Sequence, residues 1–395
     1  MKLTVKHIII VEFILCIGIV LFTLLNAQQW VSRCFLLSFI ILVPSLLFVY
    51  RGKYKHTAFM SLILLVTLAC VLINGINLQA KLSVDGMIFL FVFAALLIYI
   101  QLMQGTTVTK KLCDFVVYVG ILMSVIFVGA YFLANIRTTD KYLTMNYSNS
   151  NLLGMWILQA ILFSVVGFFH CRQNFLKLVC VVTGIANGYL LSLTGARNAY
   201  LALGLGFFVF LISFLRKKHI NNAILAVVAI FPLIFLAFYM FFQEFWENSE
   251  LLQAIFLNES KELGSRYELW ESTLYNMKGY WFTGAYFKLA GNAHNSHLVL
   301  LSSYGVVVLA LTVVYLYRVM KSVNQCAQTP YQKLCMVAFC VTIFMGNAEG
   351  ALFSGAVGLY IPACAFLLLA RYELPDAEKG RLFPKIRILP RHSRR

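Results

Sequence analysis

The sequence predicts an all-α polytopic membrane protein, and three observations predict it. Of its 395 residues, 61% are hydrophobic and only 12% are charged. An ordinary soluble domain carries about 25% charged residues. The apolar residues also fall in long runs, and a helix crosses a bilayer with roughly 20 of them. Finally, the basic residues sit in short clusters between those runs, as cytoplasmic loops do under the positive-inside rule.

Twelve stretches qualify as spans: 8–25, 31–50, 57–77, 86–104, 112–134, 151–170, 176–193, 197–215, 221–243, 296–317, 334–350 and 352–370. The first follows Lys2 and Lys6, as a signal peptide would. It is too long for a typical signal h-region and no small-residue cleavage site follows, so it reads as a span. Only Gly346-Asn347-Ala348-Glu349-Gly350 separates the last two. With the N-terminus inside, 23 of the 32 Lys and Arg fall on the cytoplasmic side. An even number of spans with both termini in the cytoplasm fits that asymmetry.

The chain then reads as one integral membrane domain, 1–395, with a large outward loop at 244–293 and a basic cytoplasmic tail at 372–395 that can rest on anionic lipid. A net charge of +17 could suggest nucleic acid. The dispersal of the basic residues among the loops excludes that class, and the bilayer itself becomes the first partner. The ten cysteines contain no CxxC pair, so neither a zinc site nor a disulfide framework is signalled.

The outward loop holds seven of the fifteen acidic residues, and ordered loops of that length are usually functional. Within it, Ser265-Arg266-Tyr267-Glu268 has the form of a capping box that opens a helix. Leu263, Tyr267, Trp270, Leu274, Met277 and Trp281 recur at spacings of four and three, the stripe of a short amphipathic helix. Arg266 falls in the first turn on this reading, where the helix dipole disfavours a cation. A helix N-terminus with an arginine suits a phosphate; the alternative is a surface arginine paired with Glu262 or Glu268.

Arg197 repeats the pattern. In Leu193-Thr194-Gly195-Ala196-Arg197-Asn198-Ala199 a tight outer turn leads into a span. An ionisable residue there is either a functional group or a snorkelling anchor. Five of the seven histidines (His7, His56, His170, His219 and His392) lie at cytoplasmic ends. Only His294 and His297 face outward, where the large loop re-enters the membrane. A histidine there suits general-base work, or is structural.

At these residues the sequence resembles the O-antigen ligase and polymerase family. His294-Asn295, nine residues and then Gly305 is similar to that family's His-Asn signature at the end of its large periplasmic loop. Leu193 to Ala199 is similar to its arginine turn before a span, and Gly264 through Gly284 to its arginine–tryptophan segment. Asn149-Ser150-Asn151-Leu152-Leu153-Gly154 looks like its Asn-rich entry to a middle span.

The resemblance spans roughly residues 146–310 and implies a glycosyltransferase scaffold of the GT-C type in a bacterial inner membrane. It implies an undecaprenyl-diphosphate-linked glycan as donor, transferred with inversion to a glycan or glycolipid acceptor. Arg197 and Arg266 would bind the diphosphate and His294 would activate the acceptor hydroxyl. Asn295 would orient that histidine or bind sugar, and His297 would add a polar contact. Tyr267, Trp270 and Trp281 would line the sugar path or pack in the core. No cofactor or metal is implied, and no Asp-x-Asp occurs in the chain.

Three activities fit: ligase, repeat-unit polymerase, or a lipid-linked glycan transporter without chemistry. A transporter predicts mid-span charges and repeated halves; such charges are few here and no halves are seen. A single long, acid-rich outer loop tilts the reading toward a ligase.

Overall fold

Among the described residues, each of the twelve apolar stretches contains a helix. The computed structural model describes residues 4–52, 54–78, 84–133, 138–139, 142–215, 219–242, 262–286, 294–347 and 358–373. Of the side chains at 77–78, 84–86, 138–139, 214–215 and 262–266 nothing is described.

The helices are α1 (Val5–Leu24), α2 (Gln28–Arg51), α3 (Thr57–Leu78), α4 (Val84–Gly105), α5 (Lys110–Leu133), α6 (Ser150–His170), α7 (Asn174–Thr194), α8 (Arg197–Leu215) and α9 (Asn222–Phe241). They continue as α10 (Glu262–Asn276), α11 (Ser296–Asn324), α12 (Pro330–Met345) and α13 (Tyr360–Leu369). A two-stranded antiparallel hairpin, β1 (Thr138–Thr139) and β2 (Tyr142–Leu143), lies between α5 and α6.

Among the described residues, nine helices are long and apolar enough to cross a membrane. The protein is therefore a helical, multi-pass membrane protein. Three further apolar helices are shorter: Arg197–Ser213, Pro330–Met345 and Tyr360–Leu369.

Side-chain caps start the helices where the apolar runs begin. Asn149 Oδ1 accepts from Leu152 N at 2.7 Å to open α6, and Asn221 opens α9 in the same way. Thr329 and Gln332 form a full capping box on α12, with Pro330 in its first turn. Each cap satisfies amides that have no intrahelical partner. Gly195, at φ 63°, ends α7 in a left-handed conformation that costs glycine nothing.

Burial separates inner from outer helices. In α4 and α6, 72% of the apolar window is buried, against 17% in α2 and 28% in α7. α13 is buried throughout and packs on α4 and α12. α2 and α7 thus offer apolar faces to lipid, while α4, α6, α11, α12 and α13 form the centre.

One buried charge interrupts that centre. Glu12 of α1 is fully buried and accepts from Ser38 Oγ at 2.8 Å. Ser38 also meets Tyr360 Oη, and the Tyr360 ring stacks on Tyr99 at 5.4 Å. This polar knot ties α1, α2, α4 and α13 together.

Polar ties also gather the basic helix ends at one end of the bundle. Arg371 donates to Met103 O and Thr106 O, the terminal carbonyls of α4. His170 pairs with Asp114 at 2.7 Å and contacts Tyr331 Oη at 3.0 Å, joining α5, α6 and α12. Asn324 bonds both backbone groups of Ile220.

The loop helix differs from expectation at both ends. α10 starts at Glu262, so Ser265 is inside it and Arg266 lies in its second turn. Glu262 at the positive end of the helix dipole and Leu263 on the apolar stripe favour the earlier start. The helix stops at Asn276, because Gly279 at φ 88° turns the chain and leaves Trp281 outside it.

Candidate functional site

Two of the four sequence segments singled out above converge on the backbone Met345-Gly346-Asn347 that follows α12. Asn198 donates from its side chain to Met345 O. Ser296 N donates to Gly346 O at 2.8 Å. Asn295 Nδ2 donates to Asn347 O at 2.6 Å. The start of α8 and the start of α11 therefore hang from one strap. A side chain at Gly346 would meet Ser296 Oγ at 2.5 Å, so glycine permits the close approach.

The Asn-rich entry to α6 packs on the same turn. A Cβ at Gly154 would collide with the Ala196 methyl group, and one at Gly195 would meet the Tyr142 ring at 2.5 Å. Asn146 reaches across to Leu24 O at 2.8 Å. Tyr142 and the start of α6 thus pack on the turn that leads into Arg197.

His294 is exposed and has φ 44°. A left-handed conformation at a residue other than glycine persists only where its surroundings over-determine it, and such residues cluster at functional sites. The next residue supplies that constraint. Asn295 is fully buried and caps α11, its Oδ1 accepting from His297 N at 3.1 Å and Leu298 N at 2.9 Å. Its Nδ2 donates to Pro232 O at 2.9 Å as well as to Asn347 O. All four capacities of that amide are used, so Asn295 positions its neighbour and has none left for a sugar.

His297 is 1% exposed, and its Nε2 lies 2.8 Å from Ala229 O. It fastens α11 to α9. Trp270 is fully buried, edge-on to Tyr239 at 5.3 Å and Phe235 at 6.4 Å. It docks α10 on α9, while Tyr267 is half-buried and Trp281 is exposed.

Arg197 is the first residue of α8 and is half-buried. Its guanidinium therefore shares a helix N-terminus with backbone N–H groups, a setting suited to an anion. The backbone of Arg266 belongs to α10, but its side chain lies outside the described residues.

Glycine also breaks the helix that follows His294. α11 is broken at Gly305, with φ 84° and ψ 174°. A side chain there would collide with the Phe282 carbonyl, while Val306 N donates to Trp281 O and Ala285 N to Ser302 O. Asn74 of α3 holds the same turn through Thr283 O at 2.8 Å. The loop that carries Trp281 is thereby pinned to the kink.

Sequence reading missed two residues. Both polar atoms of the Asn347 side chain and Oδ1 of Asn198 are buried without a hydrogen-bond partner among the described residues. Buried polar atoms are usually paired, and the strap is one of several places among the described residues where they are not. The one signal in the chain was the Gly346-Asn347 break between apolar stretches. Among the described residues, no three His, Cys, Asp or Glu come together to hold a metal.

Comparison with models of known protein families and with curated proteins finds no match.

Proposed function

We propose that the protein is a membrane glycosyltransferase of the O-antigen ligase type. It moves a glycan from undecaprenyl diphosphate to an acceptor hydroxyl at the outer leaflet of a bacterial inner membrane. In this reading the twelve helices form a GT-C-like bundle of about twelve spans with both termini cytoplasmic.

The observation that carries it is the shared strap. The helix start bearing Arg197 and the segment bearing His294 are bonded to consecutive residues, with Oδ1 of Asn198 and the Asn347 amide beside them without a partner among the described residues. The His294 imidazole takes the acceptor proton, the freed oxygen bonds to the anomeric carbon, and the bond from that carbon to the diphosphate breaks with inversion. Arg197, with Arg266, offsets the charge developing on the leaving group, an electrostatic contribution that is large in many sites. Asn295 holds the histidine, and Asn347 offers a sugar hydroxyl a donor and an acceptor.

Repeat-unit polymerisation is the second reading, because the same arrangement serves a growing chain as acceptor. One long outer loop, rich in acid, favours ligation. The test is transfer by purified protein in proteoliposomes. His294→Ala should lower turnover by about 10²–10⁴-fold, the usual worth of a general base, and normal transfer by that variant overturns the scheme. Deleting the protein in cells separates the two readings. Long chains left on the lipid carrier mean ligase, and loss of all long chains means polymerase. Donor trapped on the inner leaflet means a transporter and refutes both.

A further inference from the structure

At the opposite end of α11 and α12 from His294 lies an open cleft of about 770 Å³. Its walls are the α8–α9 turn and the α11–α12 turn. The groups lining it are neutral donors and one cation: amides of Asn221, Asn222, Gln325 and Gln328, the imidazole of His219, and Lys333. No carboxylate lines it.

The walls are fixed. The Asn324 side chain accepts from Ile220 N at 3.1 Å and donates to Ile220 O at 2.8 Å, which clamps one turn to the other. Asn221 caps α9 and Thr329 caps α12, so two helix N-termini border the cleft.

Lys333 is the unusual member. It is 6% exposed, although lysine is almost never that buried unless paired. Its ammonium donates to Ser213 O at 3.3 Å, which leaves donors over. No carboxylate among the described residues forms an ion pair with it. Burying a charge without an opposite one is costly. The C-terminal ends of α8 and α11 border the cleft as well, so the helix dipoles there offset one another and Lys333 carries the charge argument. An anion beside its ammonium would supply the opposite charge that the described residues do not.

We propose that this cleft binds a phosphate-bearing ligand, with Lys333 as the buried counter-charge and the Gln325, Gln328 and Asn222 amides as hydrogen-bond donors. An open cleft of this size admits a phosphate carried by a larger body. Two sources share that chemistry: the headgroup of an anionic lipid, or a soluble phosphorylated metabolite. The site is distinct from the one that holds His294 and does not depend on the glycosyltransferase reading.

The test uses the full-length protein in nanodiscs. In discs of phosphatidylcholine alone, ATP and inorganic phosphate are titrated by calorimetry. In discs that also contain phosphatidylglycerol, native mass spectrometry counts lipid retained after delipidation. Binding in the first arm identifies a soluble ligand, and retention in the second identifies a headgroup.

Lys333→Gln should weaken whichever binding is seen by about tenfold or more, the loss of one charge-assisted hydrogen bond, and Lys333→Arg should weaken it less. Should Lys333→Gln fail to fold, Gln328→Glu at the exposed rim gives the same reading by placing a negative charge in the cleft. No binding in either arm, or binding unchanged by both Lys333→Gln and Gln328→Glu, overturns the proposal.

Discussion

Replacing Asn295 tests whether one amide holds the His294 segment in place. The side chain is fully buried and makes four hydrogen bonds, two that cap α11 and two to the carbonyls of Pro232 and Asn347. Asn295→Ala removes the cap, worth about 1 kcal/mol, and strands two buried carbonyls at about 1 kcal/mol each. Hydrogen bonds within membranes average nearer ~0.6 kcal/mol, so the expected loss is about 2–3 kcal/mol. Asn295→Ser keeps a cap acceptor and should lose about 1 kcal/mol less. Asn295→Asp keeps both acceptors but turns an oxygen toward two carbonyl oxygens, and should be worse than Ser.

Equilibrium unfolding in mixed micelles measures the order, and transfer at a temperature where all variants are folded measures the effect on His294. A loss below about 0.5 kcal/mol in Asn295→Ala, well under a cap's worth, or an Asp variant milder than Ser, would refute the positioning role.

Four further outcomes follow from single residues. Gly305→Ala should misfold, because the kink needs φ 84° and its Cβ would collide with the Phe282 carbonyl; Gly188→Ala, with open space around it, should be neutral or stabilising by about 0.5–1 kcal/mol, and limited proteolysis compares the two. Asn347→Ala should leave unfolding unchanged, since its side chain bonds no group among the described residues, yet raise KM for the donor about tenfold. Glu12→Gln should keep the Ser38 contact and wild-type stability in micelles, whereas Glu12→Ala should lose about 1–2 kcal/mol. Burial, with the Lys55 and Arg318 charges, holds His56 below its usual value of 6.5. The unfolded chain therefore binds that proton more readily, so stability is lost as pH falls through about 6.5. His56→Asn, which tolerates the φ of 71°, should flatten melting temperature against pH in that range.

The helices were legible because each bilayer-length apolar run is bounded by its own cap or charge. Asn149, Asn221 and Thr329 are capping residues that stand where the runs begin. The break of α11 at Gly305 was not legible, because the apolar pattern runs through it. Gly305 differs from Gly188 in its φ of 84° and in the Phe282 carbonyl it faces, and neither is written in the residue type.

The same limit governs the candidate site. His294 and Arg197 stood out as outward polar residues in an apolar chain. Asn295 was legible as a neighbour, but not the four bonds that make it a strut, since its partners are Pro232, Asn347 and the start of α11. His297 looked equivalent to His294 by spacing. A carbonyl of α9, 68 residues away in the chain, makes it a buried tie. Asn347 is marked in the sequence only by the Gly346-Asn347 break and Asn198 only by its place beside Arg197, and the convergence at the strap is what identifies them.

The most direct measurement of the central claim follows the wild-type protein alone. Proteoliposomes containing the purified chain and a polyprenyl-diphosphate-linked glycan are supplied with acceptor, and free polyprenyl diphosphate and the new glycosidic bond are quantified together. The account predicts one released diphosphate carrier for each bond formed, with inverted configuration at the transferred sugar. Donor that stays intact, or that crosses the bilayer with no bond made, would contradict it.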